Sequence, residues 1–252
     1  MSYVWRAASV TDLGLVRSNN EDAVYAGERL VAVADGIGGA PAGELASEIV
    51  IRALAELDSG PLPQSPLAAL GTAVTEANRQ IGESTAGDLT RQGMGTTVTA
   101  LLLVGDRLAL LHVGDSRGYL MRGGTLTRLT RDDTFVQALV DSGMISAADA
   151  RAHPQRSIIT QAVQGGDFEP TGAILTPVPG DRYLLCSDGL SDYVEDSDIE
   201  ATLREYHDPH ACAAQLVGLA LRAGAPDNVT VAVCDVVPAP VGAGPVTAAA
   251  TP

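Results

Sequence analysis

The sequence predicts an α+β fold in which mostly antiparallel sheet is covered by helices. Apolar runs rich in β-branched residues alternate with stretches of helical periodicity from near the start to about Val237. The runs at 96–104, 107–113 and 117–122 are separated by very short turns, which is typical of an antiparallel meander and excludes a doubly wound fold. No linker interrupts the pattern, so we expect one domain over residues 1–237.

The strand runs are mostly continuous apolar segments, as in strands that are buried within a covered sheet. We predict strands at 3–10, 29–34, 96–104, 107–113, 117–122, 182–187 and 228–236. Apolar residues at helical spacing predict two amphipathic helices, one containing Leu45, Ile49, Val50, Leu54 and Leu57 and the other Leu67, Leu70, Val74 and Ile81. A third helix, rich in alanine and leucine, is expected over 210–223.

Two segments depart from this alternation. Residues 134–166 contain many small and polar side chains, and we expect them to form an irregular excursion over the surface. Such long insertions in a domain are usually functional or mobile. From Pro238 the chain holds mainly proline, glycine and alanine without charge, so 238–252 is expected to be a flexible tail.

Composition excludes several classes of function. The chain has 31 acidic and 16 basic side chains and a formal net charge of −15, which would repel nucleic acid. The three cysteines, Cys186, Cys212 and Cys234, are widely spaced within apolar stretches and are expected to be buried free thiols. Free buried thiols are typical of proteins in a reducing compartment. In addition, no apolar run in the sequence is long enough to span a membrane. Without a secretory signal pattern at its start, the protein is expected in the cytoplasm.

The most informative feature is a set of carboxylates at the ends of apolar runs. Asp35, Asp115 and Asp188 each follow such a run, and Asp227 precedes the last one. Glu21 and Asp22 add two carboxylates before another apolar stretch. If these ends lie side by side at one edge of the sheet, the crowded charges require a hard divalent cation with oxygen ligands, namely magnesium or manganese.

Other interpretations of these residues remain open. Asp-Gly is also a common turn dipeptide, so any single pair is compatible with a simple hairpin turn. Gly36 lacks a Cβ, which would let its carbonyl approach an ion directly. Arg17 is either a surface charge or a cation that grips a phosphate in two places. Zinc is disfavoured because His112 is expected in the core and His207 and His210 in a solvated or capping role.

Eight motifs can be read in order along the chain, namely VRSNNEDA (16–23), VADGIGGAPAGE (33–44), GTTVTALL (95–102), HVGDSRGYL (112–120), LTRDDT (129–134), AHPQRSIITQAVQG (152–165), LLCSDGLSD (184–192) and PDNVTV (226–231). Taken together they resemble the metal-dependent protein phosphatases of the phosphatase 2C type, and most closely the bacterial serine/threonine phosphatases of that group. The resemblance extends over nearly the whole chain to about Val237, in the family's motif order.

The resemblance implies a four-layer αββα sandwich with a two-metal centre that binds Mn²⁺ or Mg²⁺. It further implies hydrolysis of phosphoserine and phosphothreonine by a water or hydroxide that bridges the two metals, without a protein nucleophile. Such an enzyme would act on phosphorylated proteins, by default those of a bacterial serine/threonine kinase. The family likeness also favours a monomer.

The resemblance assigns a role to each candidate residue. Asp35 is similar to the ligand that bridges both metals, Gly36 to the carbonyl donor of the second metal, and Asp188 and Asp227 to ligands of the first metal. Glu21 resembles the acid that binds the second metal's waters, with Asp22 as its neighbour. Asp115, together with Asp188, matches the site of a third, weaker metal, and Asp192 a water-mediated ligand near it. Arg17 resembles the phosphate-binding arginine, and 134–166 the flap that shapes substrate access.

One departure from the family and two competing functions remain. Many relatives carry a histidine where this chain has Ala40, so the acid that protonates the leaving serine is open between a metal-bound water and His153 of the flap. A catalytically silent pseudophosphatase that binds phosphoproteins is the alternative, although Asp35, Asp188 and Asp227 are all present. An aspartyl-phosphate hydrolase would need a D-x-D motif after a strand, and the only one, at 196–198, lies in a polar stretch typical of a helix start.

Overall fold

Two antiparallel sheets, packed face to face, form the centre of the computed structural model, which describes residues 3–39 and 41–239. The strands are β1 (Tyr3–Asp12), β2 (Asp22–Ala26), β3 (Leu30–Ile37), β4 (Gly95–Thr96), β5 (Val98–Val104), β6 (Arg107–Val113), β7 (Arg117–Arg122), β8 (Thr125–Arg128), β9 (Thr171–Leu175), β10 (Arg182–Cys186) and β11 (Val229–Pro238). The helices are α1 (Ala42–Ser59), α2 (Pro66–Thr85), α3 (Phe135–Asp141), α4 (Ala147–Arg151), α5 (Asp188–Ser191), α6 (Asp196–Glu205) and α7 (Pro209–Arg222).

The first sheet has the order β1-β11-β10-β7-β8, and the second has β2-β3-β5-β6-β9 with β4 paired to β3. The pairing of β1 with β11 joins the two ends of the described chain, since Tyr3 lies opposite Pro238 and Asp12 opposite Val229. Helices α1 and α2 pack on the outer face of the second sheet, and α6 and α7 on that of the first. The predicted αββα sandwich is therefore confirmed.

The continuous apolar runs are explained by burial on both faces. In β3, Leu30, Ala32 and Ala34 pack beneath α1 and α2, whereas the alternating Val31 and Val33 face the opposite sheet. Because successive side chains of a strand point to opposite faces, a strand with a helix layer on one side and a sheet on the other must be apolar at every position.

Local sequence signals explain where the helices begin. Ser65 accepts a hydrogen bond from the backbone N–H of Ala68 and is followed by Pro66 in the first turn of α2. Asp208 caps α7 in the same way through Ala211, again with a proline, Pro209, in the first turn. Both are the expected combination of a side-chain acceptor at the N-cap and a proline that needs no hydrogen-bond donor.

The predicted meander is wrong at its second turn. β5 and β6 do pair as neighbours, but β7 lies in the other sheet, between β10 and β8. The chain crosses between the sheets at 114–116, where Gly114 has a φ of 101°. Short turns in the sequence indicated antiparallel neighbours, yet a turn of the same length also carries a chain from one layer to the next.

Other boundaries differ in smaller ways. Three short strands, β2, β8 and β9, were not predicted, since they are partly exposed and their apolar runs are short. The excursion at 134–166 contains α3 and α4, and its Val163 is fully buried in the core beneath α1 and α2. β11 extends to Pro238, and the expected tail beyond Ala239 lies outside the described residues. None of the described helices is long and apolar enough to cross a membrane.

Candidate metal centre

The predicted carboxylates gather at one end of the sandwich, where loops of both sheets meet. Asp35 lies near the end of β3, and Asp22 begins β2 directly opposite it in the strand register. Asp188 follows β10 as the first residue of α5, and Asp115 lies in the crossing between β6 and β7. The expectation of a single sheet edge is therefore corrected, because the two sheets contribute residues to one shared site.

Burial and mutual repulsion perturb two of these acids strongly. Desolvation is the main cause that raises the pKa of Asp35 well above its ordinary value, followed by the negative charges of Asp22, Asp188, Asp115 and Asp227. The pKa of Asp188 is raised well above its ordinary value for the same reason, with Asp115 as the largest contributor of charge. These shifts show that the carboxylates are close enough to oppose one another's ionisation.

Two more acids of the cluster have raised pKa values. Burial raises the pKa of Asp22 to about 6, even though Ser187 donates a hydrogen bond of 2.8 Å to its Oδ2 atom. Burial, together with the charges of Asp132 and Asp192, raises the pKa of Asp115 to about 7. At neutral pH the protein alone therefore does not fully stabilise the ionised form of this cluster.

Asp227 lies at the more exposed side of the cluster and pairs with Arg17. The Nη2 atom of Arg17 donates a hydrogen bond of 2.7 Å to Oδ2 of Asp227, and this hydrogen bond is the main cause that raises the pKa of Arg17. Oδ1 of Asp227 accepts a hydrogen bond of 2.8 Å from the backbone of Asn228. With 47% of its side chain exposed, Arg17 remains a fixed cation that an incoming anion can reach.

Asn228 holds the site together, a role that the sequence did not suggest. Its side-chain oxygen accepts a hydrogen bond of 2.8 Å from the backbone of Glu21. Its side-chain nitrogen donates to the carbonyls of Leu13 and Asn19, at 3.1 and 3.0 Å. A buried amide that satisfies three backbone groups fixes the segment 13–21 against the start of β11. The only available signal was a polar residue at the start of a buried strand.

Glycines are required where Glu21 approaches the end of β3. A Cβ at Gly36 would lie 2.3 Å from the carbonyl oxygen of Gly43 and 2.5 Å from that of Glu21. A Cβ at Gly43 would lie 2.0 Å from Oε2 of Glu21. Neither position therefore has room for a side chain, which is why this crowded approach of backbone and carboxylate needs glycine.

Threonine hydroxyls orient Asp35. The backbone N–H of Asp35 donates to Oγ1 of Thr97 at 3.0 Å, and the carbonyl of Asp35 accepts from the backbone of Thr97 and from the hydroxyl of Thr96. Thr97 also exchanges a hydrogen bond of 2.7 Å with Ser116. This network links the end of β3 to the crossing that carries Asp115.

The segment at 134–166 covers a cavity beside the cluster. The cavity measures about 570 Å³, and Asp115 and Asp188 line its inner side. On its outer side Arg156 donates a hydrogen bond of 3.1 Å to Asp192, and Arg151 forms an ion pair with Glu195 at 3.3 Å. The predicted residue Asp192 is thus held by the covering segment.

The residues fit a hard divalent cation by their chemistry. Apart from Arg17 at the exposed side, the charged side chains of the cluster are carboxylates. Burial makes their negative charge costly in the absence of a cation. Across 3–39 and 41–239 no three histidine, cysteine, aspartate or glutamate side chains are already gathered into a coordination group. The fit therefore rests on the donor chemistry and on the raised pKa values of Asp35 and Asp188.

The remaining sequence candidates have structural roles. His112 is buried and lies within hydrogen-bond distance of the Thr99 hydroxyl and the Arg131 carbonyl, so its expected place in the core is confirmed. Cys186, Cys212 and Cys234 are buried free thiols, as predicted. His153 packs beside Phe135 with ring centroids 6.4 Å apart. The D-x-D motif begins α6, as its polar surroundings indicated, and Ala40 lies outside the described residues.

Comparison with known proteins identifies relatives of this site. The family model described as protein phosphatase 2C matches residues 16–217. The chain is 53% identical over 237 residues to the serine/threonine protein phosphatase PstP of Mycobacterium tuberculosis, which covers 94% of this chain and 46% of that protein. It is 34% identical over 233 residues to the serine/threonine phosphatase stp of Listeria welshimeri, covering 88% of this chain and 92% of that protein.

A solved structure shares the fold as well. The catalytic domain of serine threonine protein phosphatase PstP, in complex with 2 manganese ions, superposes with a TM-score of 0.89 at 51% identity, covering 94% of this chain and 100% of that one. The chain spans less than half the length, 46%, of the full mycobacterial relative.

Proposed function

Because the chain belongs to the protein phosphatase 2C family, we propose that it is a metal-dependent phosphatase that hydrolyses phosphoserine and phosphothreonine in proteins. The observation that carries this proposal is the buried carboxylate cluster, in which burial and neighbouring acids raise the pKa values of Asp35 and Asp188 beside a partly exposed arginine. Such an arrangement gives divalent cations a binding site and places a fixed positive charge for the phosphate at its rim.

The proposed metal ligands follow from the resemblance of the motifs to those of the family. Asp35 is the candidate to bridge two ions, with the carbonyl of Gly36 as a further donor. Asp188 and Asp227 are the candidates for the first ion, and Glu21 for the waters of the second. Asp22, which lies opposite Asp35 in the strand register, is the proposed neighbour of Glu21. Asp115 and Asp188 are the candidates for a third, weaker ion, with Asp192 as a water-mediated ligand near it. Two Mn²⁺ or Mg²⁺ ions, when bound, would supply Lewis acidity and activate water for attack on phosphorus.

The protein's own part in the reaction is to bind and orient the phosphate. Arg17 is held by Asp227, so its guanidinium has a set direction before a substrate arrives. A guanidinium can donate two parallel hydrogen bonds to a phosphoryl group, which fixes the orientation of the phosphorus relative to the carboxylates. Arg17 is therefore a positioning and charge-neutralising group for the substrate.

No cysteine is suited to act as the nucleophile. Cys186 is the cysteine nearest in sequence to the site, yet it is fully buried within β10. Burial raises the pKa of its thiol to about 12, which keeps it protonated at neutral pH. The pseudophosphatase alternative is disfavoured as well, because Asp35, Asp188 and Asp227 are all retained, and the charge of Asp227 contributes to the raised pKa values of the other two.

We extend the proposal to the setting of the enzyme. Residues 1–237 form its catalytic domain, and residues 134–166 form a flap over the cavity beside Asp115. The substrates are phosphorylated proteins, by default those modified by a bacterial serine/threonine kinase, and the enzyme works as a monomer in the cytoplasm. The 53% identity to the mycobacterial serine/threonine protein phosphatase supports this substrate class.

Turnover of defined substrates tests the proposal. Purified protein is assayed with an aryl phosphate and with a phosphothreonine peptide, in manganese, in magnesium and in EDTA. Asp188→Asn is prepared in parallel, and its folding is checked by circular dichroism. We expect metal-dependent turnover that is lost in EDTA and in the variant. Folded wild-type protein that turns over neither substrate with either metal would support the phosphoprotein-binding alternative instead.

A further inference from the structure

The residues immediately before Arg17 expose an unusual amount of apolar surface. Leu13 is 43% exposed, Leu15 61% and Val16 75%. Three exposed aliphatic side chains therefore lie within four residues of sequence, and exposed apolar surface that is contiguous commonly marks a contact site. The patch adjoins the cation proposed to hold the phosphate.

The backbone of this loop is fixed, so the exposure of its side chains is built into the fold. The N–H of Leu15 donates to the carbonyl of Ala225 at 3.0 Å, and that of Val16 donates to the carbonyl of Pro226 at 3.1 Å. These two hydrogen bonds attach the loop to the segment that carries Asp227. A loop that is anchored through its main chain presents its side chains outward without a large further loss of entropy on binding.

The loop at 13–16 also packs closely against the segment that carries Asp227. Gly14 has a φ of 73°, and a Cβ there would lie 1.9 Å from the carbonyl oxygen of Asp227. The carbonyl of Leu13 accepts a hydrogen bond of 3.1 Å from the side chain of Asn228. At Gly14 there is therefore no room for a side chain between the loop and the segment that carries Asp227. Leu13, Leu15 and Val16 remain on its exposed side.

We propose that Leu13, Leu15 and Val16 form a platform that packs against apolar side chains flanking the phosphorylated residue of the substrate. The inference rests on the phosphatase function proposed above. Val16 and Leu15 are one and two residues from Arg17, so their Cα atoms lie within about 4–7 Å of its Cα. An extended substrate advances about 3.3 Å per residue. Side chains one to three positions from a phosphate held by Arg17 therefore reach the platform.

Charge disfavours an acidic flank, and the apolar surface favours an aliphatic or aromatic one. The platform carries no charged side chain, and the chain as a whole has a net charge of −15. Acidic residues beside the phosphorylated residue would be repelled by this protein and would gain nothing from an aliphatic surface. Aliphatic or aromatic side chains would instead cover Leu15 and Val16 and remove their surface from water.

Two phosphothreonine peptides of equal charge test the platform. They differ only in the neighbours of the phosphothreonine, which are leucine and valine in one peptide and serine and glycine in the other. An aryl phosphate, which has no flanking residues, serves as the third substrate. The enzymes are the wild type, the double variant Leu15→Ser with Val16→Ser, and the control Leu62→Ser. Leu62 is 63% exposed and follows the far end of α1, whose 18 residues span about 27 Å.

We expect the wild type and Leu62→Ser to prefer the apolar peptide by about tenfold in kcat/KM, mainly through KM, which corresponds to about 1.4 kcal/mol. In the double variant this preference should fall to about twofold or less. The ratio of the two peptides is the decisive quantity, because any general loss of activity cancels from it.

The other outcomes are distinguishable. If the wild type hydrolyses the aryl phosphate and both peptides equally well, the platform is refuted and the phosphatase function stands. If it hydrolyses none of the three substrates, the phosphatase function fails and the platform with it. A double variant that keeps the tenfold preference also overturns the platform. So does one that loses aryl phosphate and peptide turnover in equal proportion, since the loop would then serve only to position Arg17.

Discussion

Neutralising one acid of the cluster should stabilise the metal-free protein. Asp115 is 7% exposed, and burial together with the charges of Asp132 and Asp192 raises its pKa from 3.8 to about 7. The folded state therefore favours the protonated acid. The stability linked to this group is fully present below pH 3.8 and is lost as the pH rises to about 7. Asp115→Asn removes the titration while keeping the size of the side chain.

The size of the effect follows from the shift. A difference of about 3 pH units corresponds to about 4 kcal/mol once the pH exceeds both pKa values, and to about 2 kcal/mol at pH 5. For a domain of this length, 1 kcal/mol moves the melting temperature by about 2–4 °C. We therefore expect Asp115→Asn to raise the melting temperature of EDTA-treated protein by roughly 10 °C at pH 8 and roughly 5 °C at pH 5.

Thermal unfolding between pH 5 and pH 8 provides the measurement, with Asp106→Asn as a matched control in the exposed turn between β5 and β6. The control should melt like the wild type at every pH. Saturating manganese should shrink the advantage of Asp115→Asn, because the ion then supplies the missing positive charge. If the EDTA-treated variant melts at or below the wild-type temperature at pH 8, the ionised carboxylate of Asp115 does not destabilise the folded protein.

Three further outcomes follow from the site. Asp35→Asn, Asp188→Asn and Asp227→Asn should each lower phosphatase turnover by a factor of about 10³ or more with the fold retained, since each removes the charge of a proposed metal ligand; circular dichroism and steady-state rates with manganese check this, and a variant that keeps a tenth of the activity would remove that residue from the proposed ligand set. Arg17→Ala should raise KM for a phosphopeptide more than it lowers kcat, because it removes a grip on phosphate rather than the attacking group; identical constants for variant and wild type would exclude the assigned role. Asn228→Ala should lower the free energy of unfolding by about 2–3 kcal/mol, because three buried backbone groups lose their hydrogen-bond partner. Urea titration measures this free energy, and an unchanged midpoint would show that these three hydrogen bonds do not stabilise the fold.

Hydrophobic pattern predicted the central strands because their environment is uniform. β3, β5, β6, β10 and β11 are covered on both faces, so apolar residues predominate and the run is easily recognised. The short strands β2, β8 and β9 are partly exposed and contain only short apolar runs. Local sequence also does not determine which layer a turn leads to. For that reason the passage from β6 to β7 was predicted as a hairpin although it crosses between sheets.

The sequence predicted the carboxylates of the candidate site but not the residues that hold them in place. Carboxylates at the ends of apolar runs are visible in the sequence, and Asp35, Asp115, Asp188 and Asp227 do meet in space. The groups that hold them are not visible, because a hydrogen bond between Asn228 and Glu21 joins positions 207 residues apart. Thr97 and Ser187 reach Asp35 and Asp22 only because the chain folds into two packed sheets. A local sequence pattern does not predict such contacts.

The construction of the site from both sheets explains how the fold tolerates so much buried negative charge. Asp35 and Asp22 belong to the second sheet, Asp188 and Asp227 flank strands of the first, and Asp115 lies on the passage between them. Repulsion among these acids acts to separate the layers at this end of the sandwich, whereas the apolar contacts between the sheets hold them together. A bound cation would replace the repulsion among the acids by attraction between each acid and the ion. The apolar contacts between the sheets would stay unchanged. Metal binding should therefore stabilise the packing of the two sheets as well as supply the chemistry.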